Sequence, residues 1–193
     1  MKKNDNKIIA VIALCLGVIG LSVGFAALST NLTINGTGKV KTSTWDIHFA
    51  SLSTVSKTGT ANEVTAPTLT ATKVGDYSVD LTTPGDSIEY TFDIVNSGSY
   101  DAKISTITIP KPQCTGTGTN ATADANNVCS NLTYTLTYST SGATVKANDT
   151  LNSGETKKVK LKLTYSSTVT ADKLPKGDVT ISNLSIPITY VQA

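Results

Sequence analysis

The sequence predicts an all-β chain: a single β-sandwich, jelly-roll-like or with Ig-like connections, behind an N-terminal hydrophobic signal helix. Three observations predict it. Apolar and polar residues alternate with a period of two in several separate blocks. Thr, Ser, Val and Ile are abundant, while helix-favouring runs of Glu, Gln, Leu and Met are missing beyond the leader. Turn-forming Gly, Pro and Asn clusters punctuate the blocks at short spacing. Eight to ten strands are expected, with no convincing helix after Leu28.

The leader comes first in the chain. Lys2, Lys3 and Lys7 precede an uncharged run from Ile8 to Leu28 that ends in Gly24-Phe25-Ala26-Ala27, which is the layout of a basic n-region, an apolar h-region and a cleavage site. Residues 1–27 are therefore read as a signal peptide, cut after Ala26 or Ala27, and residues 28–193 as the exported domain. The alternative is an uncleaved membrane anchor, since the run of 21 residues is just long enough to span a bilayer. Either way the domain is expected outside the cell, touching the membrane only through its N-terminal segment, with signal peptidase as its partner during export.

The 166 residues that remain suffice for one core and hardly for two. All 16 basic residues are Lys, and removing Lys2, Lys3, Lys7 and Asp5 leaves 13 Lys against 13 acids. A neutral chain without Arg gives nucleic-acid binding little support. Cys15 lies inside the h-region. Cys114 and Cys129 flank a Gly-, Thr- and Asn-rich segment read as a loop. In an exported protein they are suited to form a disulfide, and closing 15 residues would remove about 3 kcal/mol of unfolded-chain entropy. The alternative is two unpaired thiols in a mobile loop.

Leu32 and Ile34, followed by Asn35-Gly36, read as a short strand and a tight turn. Trp45, Ile47 and Phe49 alternate with Asp46 and His48, so the aromatics are expected to anchor the core. Residues 53–67 read as a loop or a poorly paired edge. Val79 and Leu81 lead into Thr82-Thr83-Pro84-Gly85-Asp86, a type II turn by its Pro-Gly centre. Ile88, Tyr90, Phe92 and Ile94 then point inward. Asn96-Ser97-Gly98-Ser99 reverses the chain into a return strand with a parity change between Ile104 and Ile107, which marks a bulge. Pro110 and Pro112 end it.

Leu132, Tyr134, Leu136 and Tyr138 share one face of the next strand, with threonines opposite. Val159, Leu161, Leu163 and Tyr165 alternate with Lys158, Lys160 and Lys162, a lysine row that suits an exposed face or a protected edge. The last strand, Val179 to Tyr190, is long, and Pro187 places it at an edge or bulge.

Reactive constellations are thin. His48 is the sole histidine and has no HExxH partner, and neither a phosphate loop nor a GxSxG elbow occurs. Asp86, Glu89 and Asp93 could hold calcium, but solubilising a sheet face is the simpler role. The Asn-X-Thr triplets at Asn31, Asn35, Asn120, Asn131 and Asn148 arise easily in so Thr- and Asn-rich a chain, and no function is assigned to them. No enzyme, cofactor or metal site is expected.

Several stretches resemble a known family. The lysine-headed leader ending Val23-Gly24-Phe25-Ala26-Ala27, then Leu32-Thr33-Ile34-Asn35-Gly36-Thr37-Gly38 and Trp45-Asp46-Ile47-His48-Phe49, is similar to the SipW-dependent exported proteins of Gram-positive bacteria, the TasA and camelysin group. Pro84-Gly85-Asp86, the aromatic strand after it and Asn96-Ser97-Gly98 resemble a hairpin of that group, and Leu151 to Leu163 resembles its later strand. The resemblance implies a jelly-roll subunit of extracellular biofilm fibres, in which an N-terminal strand of one subunit completes its neighbour's sheet. Residues 28–36 are then the donor candidate, a strand that begins at Leu28 and has Leu32 and Ile34 entering the next molecule's groove, and self-association into fibres follows. The alternative within the chain is an ordinary first strand folded onto its own domain. The alternative function is a membrane-anchored, monomeric adhesion or carbohydrate-binding domain. Camelysin relatives carry a protease label, which no metal-ligand cluster in this sequence supports.

Overall fold

The computed structural model describes the backbone of residues 2–27 and 33–193, with side chains for 6–19 and 33–193. Two units are distinct, residues 1–41 and residues 42–193. In the first, α1 (Lys2–Ala27) carries the leader. Its described side chains, residues 6–19, are all exposed. Among the described residues no helix is long and apolar enough to cross a membrane. Ala26 and Ala27 end the helix backbone, and their side chains, like Leu28 and Leu32 entirely, lie outside the described residues. Ile34 is 99% exposed, and residues 33–46 hold neither a strand nor the turn expected at Asn35-Gly36.

In the second unit the strands follow as β1 (Ile47–Ala50), β2 (Ser56–Thr58), β3 (Asn62–Thr65), β4 (Thr68–Leu69), β5 (Val74–Gly75), β6 (Ser78–Asp80), β7 (Ser87–Asn96), β8 (Ala102–Ile107) and β9 (Gln113–Gly116). A helix, α2 (Ala121–Ser130), precedes β10 (Leu132–Tyr138), β11 (Thr150–Leu151), β12 (Thr156–Tyr165), β13 (Val179–Ser182) and β14 (Ile188–Gln192). The fold is all-β and sandwich-like, its main sheet running β1-β7-β12-β10 with β2 also on β7. The opposing layer is pieced together from β11-β8-β14 and the two-stranded ribbons β13-β9, β3-β6 and β4-β5.

The two clearest alternating blocks become the centre of the main sheet. Ile88, Tyr90, Phe92 and Ile94 of β7 and Val159, Leu161, Leu163 and Tyr165 of β12 are all buried, antiparallel and in register, Phe92 opposite Val159 and Tyr90 opposite Leu161. Ala102, Ile104 and Leu151 meet them from the other layer. Burying such side chains contributes roughly 1.5–3 kcal/mol each, which makes this pair of strands the main source of stability. The turn before β7 has Gly85 at φ 96° and an Asp86 N–H to Thr83 carbonyl bond of 3.0 Å, as a Pro-Gly centre requires. The bulge lies where the parity changes: Thr106 pairs with Thr189 and Ile104 with Tyr190, leaving Ser105 extra.

Several expectations need correction. Trp45 precedes β1 and is 48% exposed, so Phe49 alone of the aromatics there packs inward, edge-on to Phe92 at 5.4 Å. The residues after Asn96 do not form a hairpin; β8 lies in the opposite layer. The wholly buried Asn96 side chain donates to the carbonyls of Tyr100 and Leu151 and accepts from Gly98 N–H, which steers the chain across the core. The lysine row is an exposed face of a central strand, not an edge, since β12 is flanked by β7 and β10. The last block is two strands, not one. Asn183 at φ 62° and Pro187 interrupt it, and β13 and β14 join different partners.

The Cys114 to Cys129 segment is not a plain loop either. It contains α2, whose sequence is a weak helix former with no side-chain cap at Asn120. Tertiary ties hold it instead: Cys129 is bonded to Cys114 with Cα atoms 5.7 Å apart, Val128 is buried, and buried Asp124 accepts the backbone N–H groups of Lys176 (3.0 Å) and Gly177 (3.1 Å).

Candidate functional site

The opposing layer is incomplete. Residues 72–82, which include β5 and β6, and residues 175–188, which include β13, do not pair with each other. Two clefts lie between them. The smaller, about 410 Å³, has Phe92, Leu136 and Leu161 of the main sheet among its lining, with Val74 on one side and Ile186 and Ile188 on the other. The larger, about 820 Å³, is lined by Leu132, Leu163 and Tyr165, with Val79 and Leu81 on one side and Val179 and Ile181 on the other. Consecutive residues of β6 (Ser78, Val79, Asp80) and of β13 (Val179, Thr180, Ile181) line the larger cleft. Because side chains alternate along a strand, a consecutive run presents a backbone edge rather than a face. Each of these strands pairs on one side only among the described residues, β6 with β3 and β13 with β9.

A hydrogen-bonded crosspiece separates the clefts. Tyr134 Oη donates to the Leu184 carbonyl at 2.7 Å, so its single proton is used and Tyr77, 2.9 Å away, must donate to it. Burial pushes both phenols above their ordinary range, Tyr134 further through its neighbour Tyr77, so both stay protonated and the relay persists at any physiological pH. One residue from each wall is thereby tied to one floor residue. Tyr165, on the floor of the larger cleft, has a buried hydroxyl with no hydrogen-bond partner among the described residues.

Charge at the rims differs. In the smaller cleft Lys73 and Asp76 pair with each other at 2.7 Å. In the larger, Asp80 and Asp178 are both exposed and stand against Lys176 alone. The end of the larger cleft is fixed by α2, through Val128 in its lining and Asp124 on the Lys176-Gly177 backbone.

The other residues singled out in the sequence lie elsewhere. His48 Nδ1 is 2.9 Å from Asp46 Oδ1, and among the described residues no group of three or more His, Cys, Asp or Glu is placed to hold a metal. Glu89 and Asp93 pair with Lys160 (3.2 Å) and Lys158 (2.8 Å) on the outer face. Asp86 is the exception, wholly buried and bound by Thr60, Thr82 and Thr83. Of the donor candidates only Ile34 is described, and the Cys114–Cys129 bridge, whose Cys129 lies in α2, is not part of the larger cleft's lining.

The two clefts were not legible in the sequence. Their one faint local signal is the pair of broken blocks, Tyr77 to Leu81 and Val179 to Ile188. Compared with protein-family models, curated proteins and solved structures, the chain matches none.

Proposed function

We propose that this chain is an exported structural subunit of the cell surface or extracellular matrix, one that assembles into fibres by donating its N-terminal strand to the next copy. The observation that carries the reading is the missing strand: two facing segments with free edges over an apolar floor. An extended backbone laid there adds hydrogen bonds along both walls and side chains to the floor, which is recognition by strand addition. A supply of such backbone lies at residues 33–42, which have no strand, and where Ile34 and Val40 are 99% and 98% exposed. The hydrophobic leader, cleaved or retained as anchor, supports the export half of the reading.

Deleting Leu28 to Asn35 tests it. The exported variant should keep the β-rich circular dichroism and melting behaviour of the parent and form no fibres by electron microscopy. Normal fibres from the truncated chain would remove donation from consideration. A parent that stays membrane-bound and monomeric, retaining Ile8 to Leu28, would instead favour an anchored adhesion domain.

A further inference from the structure

We infer the register and direction of the donated strand: Ile34 fills the smaller cleft, Val40 the larger, and Gly36 and Gly38 pass over the tyrosine crosspiece between them. This rests on the strand-donation reading and specifies which residues of a second copy occupy the cleft. In an extended strand Ile34, Gly36, Gly38 and Val40 face one way. Their order along that face is large, absent, absent, large, while the cleft's order is cavity, crosspiece, cavity.

The spacing agrees. Ile34 and Val40 are six residues apart, about 20 Å when extended. On the wall of residues 74–82 the same interval separates Gly75, at the smaller cleft, from Leu81, at the larger. On the other wall Ile186 lines the smaller cleft and Ile181 the larger, with the break at Asn183 between them.

Among the described residues, nothing in the same chain requires glycine at either position. A Cβ built on Gly36 or Gly38 meets nothing within 4 Å, and neither has the positive φ that favours glycine. Glycine inside a strand marks a place where another backbone or group approaches closely, and the crosspiece is such a group.

Charge sets the direction. Lys39 and Lys41 flank Val40 and point away from the floor, toward the rim. At the larger cleft they meet the exposed Asp80 and Asp178, whereas at the smaller one Lys73 already satisfies Asp76. The strand then runs antiparallel to residues 184–186, with Ile34 opposite Ile186 and Asn35 opposite Ser185, and parallel to residues 74–82, with Val40 beside Leu81 and Lys39 beside Asp80.

Full-length chains carrying Cys15→Ser, coexported in pairs, test the assignment. Subunits with Asn35→Cys and subunits with Ser185→Cys should form a disulfide-linked dimer on nonreducing gels, and Asn35→Cys with Thr180→Cys should not. The reverse result overturns the direction. Fibres in which neither pair crosslinks overturn the register while leaving donation standing, whereas absence of fibres from the Cys15→Ser parent sinks donation and register together. In single-variant chains, Gly36→Val or Gly38→Val should reduce fibre yield about tenfold or more, by overpacking against the crosspiece, while Asn35→Val and Thr37→Val change it less than about twofold. Equal effects at the even and odd positions overturn the face assignment.

Discussion

Replacing Asp86 by Asn should destabilise the domain far more than so small a change suggests. The carboxylate has no solvent exposure and accepts five hydrogen bonds. Oδ1 takes Thr60 N–H (2.7 Å) and Thr83 Oγ1 (3.0 Å); Oδ2 takes Thr82 N–H (2.7 Å), Thr83 N–H (2.9 Å) and Thr60 Oγ1 (2.8 Å). The two threonine hydroxyls can turn, but the three backbone N–H groups cannot become acceptors. An Asn amide nitrogen must therefore oppose at least one backbone N–H whichever way it is flipped: that of Thr60 in the Oδ1 place, those of Thr82 and Thr83 in the Oδ2 place. One buried orphan donor costs about 1–3 kcal/mol, and weakening the remaining charge-assisted bonds to neutral ones adds about 1 kcal/mol for each of two, so the total is about 3–5 kcal/mol. The pH dependence supplies a second check. Burial alone would raise this carboxyl, but the hydrogen bonds from Thr83, Thr60 and Thr82 outweigh it and hold the group far below its ordinary 3.8. A depressed folded value means that the contribution is whole above pH 3.8 and is lost as the pH falls toward the folded value. Urea denaturation of parent and Asp86→Asn at pH 7 and at pH 2.5 should show a large gap that narrows in acid. A gap below about 1 kcal/mol at pH 7, or one that does not change with pH, would refute the reasoning.

Two further measurements bear on the α2 wall. The double variant Cys114→Ser, Cys129→Ser should lose about 3 kcal/mol in the same assay, from a 15-residue separation, and the native chain should show no reactive thiol other than Cys15; two more would disprove the bridge. Asp124→Ala should cost about 2–4 kcal/mol, because the N–H groups of Lys176 and Gly177 lose a buried carboxylate acceptor. Its signature is local: hydrogen exchange should quicken at Lys176 and Gly177 while β7 stays protected, and uniform quickening would argue against a wall-fixing role.

What was legible in the sequence is what local pattern determines. The period-2 blocks of β7 and β12 state their own burial, Pro84-Gly85 states its turn, and the parity break after Ile104 states its bulge, because each depends on neighbours within a few residues. The helix α2 was not legible, since its ten residues favour no helix strongly and are held by Cys114, Lys176 and Gly177, which lie outside it. Trp45 misled for a related reason: alternation fixes a face only while the strand lasts, and β1 begins at Ile47. The crossing after Asn96 depends on a hydrogen bond to Leu151, 55 residues away. The cleft depends on segments that fail to pair, and the absence of a pairing leaves no mark in either segment.

The cleft's persistence needs a cause, because an apolar floor beside two unpaired edges should close by bringing the edges together. The tyrosine crosspiece supplies one. Tyr134 stands on the main sheet, so the bonds from Tyr77 and to Leu184 tie one point of each wall to the floor with the two phenol groups between them. Neighbouring paired strands sit about 4.8 Å apart, and a phenol relay cannot fit within that separation. At the far end Asp124 holds the Lys176-Gly177 backbone to α2 and away from β6. The main sheet, meanwhile, gains nothing from closure, since its central strands β7 and β12 are already paired on both sides. A fold stable through one sheet is thus able to leave its second layer open, and the side chains that keep it open are the same ones over which an incoming strand would have to be small.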